Sequence, residues 1–369
     1  MQIKPMLTNL RPAFAFLLLG MTLTLTAPVE AQDKTASLSP PPKTQQAQKQ
    51  QTFRLPDMPL HDPWILADAA SKTYYLYTSN VRRLTGENRS GTMVYKSKDL
   101  IHWERPFVVF TVPDGTWANP TEGAWAPEVH EYKGMFYLFT TLHNSQRIIA
   151  EPPAVWKTNH MRGTCIAVSD SPEGPFKLLK TNGPVPPADF MTLDGTLYID
   201  PEDGSPWMVY AHEWLQKING TMEAVPLKTD LSAADGPPIY LFKASDAPWL
   251  NAQGVASREE LHYVTDGPEL FRTKDNQLLM LWSSYDNKGY VQTVARSKSG
   301  ELKGPWEQLE PLMRHDSGHG MLFHTFEGQL MLVLHRPFKN ARGKLYEMED
   351  TGTSLKIIRE RTDLDGELP

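Results

Sequence analysis

A single cysteine among 369 residues excludes an internal disulfide. It lies in the apolar run Thr164-Cys165-Ile166-Ala167-Val168 and reads as a core residue, not a nucleophile. No long basic run accompanies the net charge of −6, so nucleic acid is not an expected partner. The chain has no H-E-x-x-H, C-x-x-C or P-loop pattern, and nothing in it calls for a required catalytic metal or nucleotide. Amphipathic helices of useful length are missing as well, which turns the reading toward an all-β fold. The longest N-terminal apolar run, Phe14 to Ala27, is short and broken by Gly20 and several threonines, too weak for a spanning helix.

That run fits another role. Lys4 and Arg11 precede it and Val29-Glu30-Ala31 follows as an A-x-A-like cleavage site, the order of a secretory signal peptide. Residues 1–31 are therefore expected to be removed on export, leaving a secreted or periplasmic protein with no stable membrane insertion. Residues 32–52 are rich in Gln, Lys, Pro and Ser and bury too little to offset their ordering entropy, so they read as a flexible linker. Residues 53–369, about 315 in number, form the folded domain, a length that all-β propellers commonly reach as one unit. It is expected to be a monomer.

What the domain has in abundance is aromatic residues, including ten Trp and 13 Tyr. Many fall in a short aromatic–aliphatic run that recurs five times: Tyr74-Tyr75-Leu76-Tyr77, Phe136-Tyr137-Leu138-Phe139, Trp207-Met208-Val209-Tyr210, Leu279-Met280-Leu281-Trp282 and Leu330-Met331-Leu332-Val333. Such runs read as buried strands, and four are led by turn signals, as at Lys133-Gly134 and Glu327-Gly328. Their spacing of roughly 50 to 70 residues is that of propeller blades of four strands each. Third strands follow several runs, and bulky closing strands are expected at Trp103-Glu104, Gly174-Pro175-Phe176 and Gly304-Pro305-Trp306. The expected fold is a five-bladed β-propeller.

A second repeat precedes the first by about 8 to 13 residues. It reads His61-Asp62-Pro63-Trp64, Trp125-Ala126-Pro127-Glu128, Leu193-Asp194-Gly195-Thr196, Thr265-Asp266-Gly267-Pro268-Glu269 and Gly318-His319-Gly320-Met321. One aspartate before Pro or Gly is usually a turn former. Recurrence at strand entries points elsewhere, because equivalent positions on successive blades ring the propeller axis. Four carboxylates and a histidine at equivalent positions would share one pocket and raise one another's pKa, a cost that catalysis explains. Two carboxylic acids suffice to hydrolyse a glycosidic bond, one donating to the leaving oxygen and the other activating water; a third can tune the donor. Trp64 and Trp125, beside the acids, are candidate platforms for the apolar face of a sugar.

Together these motifs resemble glycoside hydrolase family 43, the five-bladed arabinofuranosidases, xylosidases and arabinanases, over residues 55 to 350. The resemblance implies that Asp62 is the general base and that Asp194 modulates the donor's pKa. It places Asp266, in Asp266-Gly267-Pro268, where the family typically carries a glutamate as general acid; Glu269 is the alternative donor. Glu128 would be a polar wall residue against a sugar hydroxyl. His319 matches a fifth-blade histidine that, in several members, lies beneath the site and helps hold a calcium ion or water, so His319 is a candidate substrate or metal contact. No cofactor is required; a structural calcium ion is the metal the resemblance admits. The implied activity is inverting, exo-acting hydrolysis of terminal pentose or furanose residues in oligo- or polysaccharide. Three alternatives stand beside it: a non-catalytic carbohydrate-binding propeller, suggested by the aspartate at the acid position; a protein-interaction propeller, which would show near-identical blades; and a retaining fructosidase-like hydrolase, whose Asn-Asp-Pro-Asn-Gly signature His61-Asp62-Pro63-Trp64 does not match.

Overall fold

The computed structural model describes residues 52–150, 159–250, 253–254 and 261–367. The expected signal peptide and nearly all of the linker lie outside the described residues, as does Trp156 in the long insert from Asn144 to Arg162, which the sequence offers as a wall of the site, and most of the segment from Leu250 to Tyr263, a second candidate wall. Among those described, no helix is long and apolar enough to cross a membrane.

Five antiparallel four-stranded sheets form a five-bladed β-propeller, each sheet built from one continuous stretch of chain. Blade 1 runs Trp64–Asp68, Thr73–Ser79, Gly91–Ser97 and Phe107–Thr111. Blade 2 runs Ala124–Tyr132, Met135–Ala150, Asn159–Ser169 and Lys177–Leu178. Blade 3 is Thr192–Ile199, Pro206–His212, Thr221–Pro226 and Ile239–Lys243. Blade 4 is Asp266–Arg272, Leu278–Asp286, Gly289–Ser297 and Trp306–Gln308. Blade 5 is Gly318–His324, Leu330–His335, Gly343–Asp350 and Leu355–Glu360. The five aromatic–aliphatic runs are the second strands. They are buried on both faces because each blade packs against two neighbours, which is why they read as continuous apolar runs and not as alternation. Two closing strands differ from expectation: in blade 1 it is Phe107–Thr111, whereas Trp103 is fully buried and bridges Phe53 and Ser97, and in blade 2 it is Lys177–Leu178, just past Gly174-Pro175-Phe176.

The first strands of blades 2 to 5 open on the same irregularity. Residues 194–195 oppose Tyr210 alone, 126–127 oppose Thr140, 267–268 oppose Trp282, and 319–320 oppose Leu334, so each entry is a two-for-one β-bulge. The first bulged residue is left-handed every time: φ is 42° at Ala126, 56° at Asp194, 48° at Gly267 and 49° at His319, and Asp62 in blade 1 has φ 49°. Left-handed backbone is costly for any residue but glycine, so the four of these that are not glycine need support.

At Asp62, Asp194, Gly267 and His319 side chains of the preceding blade hold the backbone amides. The amide of Asp194 donates to Thr141 Oγ1 at 2.9 Å and that of Gly195 to Thr164 Oγ1 at 2.8 Å, both acceptors on blade 2. The amide of His319 donates to Ser283 Oγ and that of Gly320 to Gln292 Oε1, both on blade 4. Asp194 Oδ2 on blade 3 accepts from Gly267, and His335 Nδ1 on blade 5 accepts from Asp62. Bulge amides that lack a ladder partner are thus satisfied across blade boundaries, and the last of these bonds helps close the ring. Around it, Phe53 pairs with Trp103 of blade 1 and Pro59 with Arg342 at the edge of blade 5, so the entering chain ties the first blade to the last.

Thr141→Val keeps shape but leaves the buried Asp194 amide without its acceptor. Urea unfolding should show a loss of about 1–3 kcal/mol, and an unchanged midpoint would mean that the inter-blade bond contributes nothing.

Candidate active site

The bulge sorts side chains into two levels. Residues just before the left-handed position, His61, Trp125, Leu193 and Asp266, line a cavity of about 840 Å³. Asp62 and Asp194 line it too, with Arg162, Glu213, Trp214, Tyr285 and Phe338. Residues two beyond the left-handed position, Trp64, Glu128, Glu269 and Met321, line a small enclosed space on the axis together with Asp62, Gly267 and His319. Its free volume of about 10 Å³ is the lower limit for one water.

The expected ring of four acids and a histidine at equivalent positions is therefore corrected. Equivalent positions hold Asp62, Ala126, Asp194, Gly267 and His319. Asp266 stands one residue before the left-handed position of its blade, and Glu128 two residues after that of its own. In blade 4 a residue larger than glycine is barred at the equivalent position, because a Cβ on Gly267 would come within 2.8 Å of the His319 ring.

Asp62 is surrounded by imidazoles. His61 Nδ1 lies 2.8 Å from its Oδ1, His319 Nδ1 3.1 Å and His335 Nδ1 3.4 Å. Burial alone would raise this carboxyl, but His319 and His61 hold it well below the usual carboxylate range. His61 is itself raised: burial opposes its protonation, and the charges of Asp62 and Asp266 overcome that. These contacts fall on Oδ1.

Asp194 is the opposite case. Burial, then the neighbouring Asp266 and Asp62, push its carboxyl well above its ordinary value, so it keeps a proton where Asp62 loses one. Asp266 is hydrogen-bonded to Asp194 and accepts the phenolic proton of Tyr290 on Oδ2 at 2.6 Å. One ionised and one proton-holding carboxyl thus face the same cavity, which is the division of labour that acid–base chemistry on one bond requires.

The other candidates divide between the levels. Trp125 is 41% exposed on the cavity wall. Trp64 lines the axial space, its indole donating to Val129 O. Glu128 and Glu269 are buried there: Glu269 accepts the Leu322 amide, and burial pushes it well above its ordinary value. Burial likewise pushes Glu128 up to about 8 and its partner His130 down to about 3, so their 2.9 Å contact is a neutral hydrogen bond and not an ion pair.

Three metal-ligating side chains, Asp194, Asp266 and His319, come within 4.8 Å of one another. Calcium takes six to eight oxygens, so these residues fit it only as a partial shell completed by water.

Arg162 and Glu213 went unnoticed in the sequence. Arg162 Nη1 reaches both Glu213 oxygens at 2.5 Å, its Nε donates to His143 Nδ1, and its Cζ lies 5.0 Å from the centroid of a Trp125 ring. Fifty-one residues separate the pair, and no local motif marks either partner; only the fold brings them together.

The sequence profile of Glycosyl hydrolases family 43 matches residues 57–359. The chain belongs to that family. Family 43 is thus established for nearly the whole described domain, and with it a glycosidase acting on O-glycosyl bonds. A solved endo-arabinase from Bacteroides thetaiotaomicron is 37% identical, with a TM-score of 0.69 over 81% of this chain and 97% of that one. The extracellular exo-α-(1→5)-L-arabinofuranosidase ArbA of Cellvibrio japonicus is 22% identical over 83% of this chain and 85% of its own length. The extracellular endo-α-(1→5)-L-arabinanase of Thermotoga petrophila is 25% identical over 72% of this chain; the match spans about half, 53%, of that relative.

The raised Glu128 has a consequence for stability. The folded protein retains a proton there that the unfolded chain releases above pH 4.5, so this group's contribution falls as pH rises from 4.5 toward 8. Glu128→Gln removes the dependence. Its melting temperature relative to the parent should rise from pH 5 to pH 8, and a pH-independent difference would refute burial of a proton at this site.

Proposed function

We propose that this family 43 protein hydrolyses arabinofuranosyl linkages by single displacement with inversion, removing terminal residues from a polysaccharide outside the cell. The observation that carries the reading is the pairing, on one cavity, of an Asp62 kept ionised by imidazoles with an Asp194–Asp266 pair that retains a proton. Asp62 is the base: its Oδ1 is taken by histidines, leaving Oδ2 to accept a proton from water as that water attacks the anomeric carbon. Asp266 is the acid, giving its proton to the leaving oxygen while Asp194 positions it and keeps it supplied. In favour of Asp266 over Glu269 is its place on the cavity wall, whereas Glu269 is turned to the axis.

Arabinan is favoured as substrate because the 37% identical structure and both curated relatives are named for activity on arabinose polymers. Removal of terminal residues is favoured by the cavity, whose volume is that of a pocket for a small ligand. Export is supported by the two relatives named extracellular.

Proton NMR of the first product from an aryl α-L-arabinofuranoside should show the inverted anomer; retention would overturn single displacement. The donor can be identified by leaving group. Asp266→Asn should lose about 10²- to 10⁴-fold in kcat on arabinan, yet stay within ~10-fold on a dinitrophenyl glycoside, whose leaving group needs no proton. Asp62→Asn should lose activity on both. If Glu269→Gln, and not Asp266→Asn, shows the split, Glu269 is the acid.

A further inference from the structure

The cavity holds one more carboxylate that acid–base chemistry does not use. Glu213 follows the second strand of blade 3 and precedes the short helix Trp214–Lys217; it is 4% exposed. Burial pushes its carboxyl up, Arg162 opposes this, and Asp266 adds to the rise. Protonating Glu213 would leave the buried Arg162 guanidinium unpaired, a state costlier than the pair itself. A group that must stay ionised is no proton donor. It is a fixed acceptor.

Arg162 is held on all three of its nitrogens: Nε donates to His143, Nη1 to Glu213, and Nη2 lies 3.4 Å from His160 Nε2. These contacts fix the guanidinium, and with it the carboxylate that it clamps. Each Glu213 oxygen accepts from the single nitrogen Nη1 and retains a further lone pair. The guanidinium and the His143 ring to which it is bonded both lie against Trp125, the His143 centroid 4.0 Å from that ring, and Trp125 remains 41% exposed on the same cavity. An apolar ring face beside an oriented anionic acceptor matches a sugar, which has apolar C–H faces and hydroxyl donors at its edge; it does not match an acidic ligand.

We infer that Glu213, clamped by Arg162, is a specificity-determining residue that accepts a hydrogen bond from a hydroxyl of the neutral sugar ring resting on Trp125. The inference rests on the glycosidase reading of this cavity and extends it. A desolvated carboxylate left without its donor discriminates strongly against a sugar lacking that hydroxyl.

The test pairs protein and substrate changes: kcat/KM is measured on an aryl α-L-arabinofuranoside and its 2-, 3- and 5-deoxy analogues. The parent protein should lose about 10- to 100-fold on one analogue. In Glu213→Gln that particular loss should shrink to within ~3-fold while the pH limbs of kcat/KM stay in place, which a merely structural residue would not produce. Equal deoxy penalties in both proteins, or displaced pH limbs, would overturn the inference while leaving the glycosidase reading intact. No turnover of any parent glycoside by the unaltered protein would overturn that reading and this one with it. Should Glu213→Gln lose its cooperative melt, Glu213→Asp retains the charge for Arg162 and withdraws the acceptor, and an undiminished deoxy penalty there counts against the inference.

Discussion

The molecule is organised around a strained backbone step repeated at the mouth of every blade. Each first strand enters through a left-handed residue, and in four blades the ladder pairs two residues against one at that point. The step costs energy in each case, of order 1–3 kcal/mol for a non-glycine residue. Side chains of the preceding blade recover part of it by accepting the displaced amides: Thr141, Thr164, Asp194, Ser283, Gln292 and His335. Because the acceptors lie one blade behind the donors, strain inside a blade becomes cohesion between blades. Two of those acceptors, Asp194 and His335, also face the candidate chemistry, so fold closure and site geometry share the same bonds.

The same step sets the electrostatics. It sends the residue before it to the wide cavity and the residue two beyond it to the axis, so acids of neighbouring sequence position receive opposite environments. Asp62 meets three imidazoles and stays charged; Asp194 meets carboxyls and keeps a proton. Below them Glu128 and Glu269 stay neutral by burial, so the enclosed axis carries little net negative charge under the ionised Asp62. Had all these acids shared one level, repulsion would have obliged several of them to titrate together.

The blade count and the strand runs were legible because doubly buried strands leave unbroken apolar stretches at regular spacing. Asp62 and Asp194 were legible as repeated acids at strand entries. What the linear pattern could not convey was the bulge, which inserts a residue without changing composition. It made Glu128 and Asp266 look equivalent to Asp62 when Ala126 and Gly267 hold the equivalent places. Trp64 looked like a sugar platform beside Asp62, yet two steps past the bulge puts it on the axis. Arg162 and Glu213 belong to different blades, and a pair formed only when blade 3 packs on blade 2 has no signature in either segment.

The aspartate at the position where family resemblance calls for glutamate follows from the same geometry. Asp266 lies directly before left-handed Gly267, whose lack of a side chain is what lets the His319 ring pass close by. At that place a short acid is gripped from two sides, by the Tyr290 hydroxyl at 2.6 Å and by Asp194, while the Gly267 amide holds Asp194 Oδ2. A longer side chain would have to leave one of those partners. The shorter one trades reach into the cavity for a fixed orientation; on the proposed reading, with Asp266 as donor, the sugar has to sit deeper, and the clamped Glu213 on the same cavity is placed to hold it there. Loss of reach at one carboxylate and gain of a rigid acceptor at another are then two sides of a single arrangement, in which substrate position compensates for side-chain length.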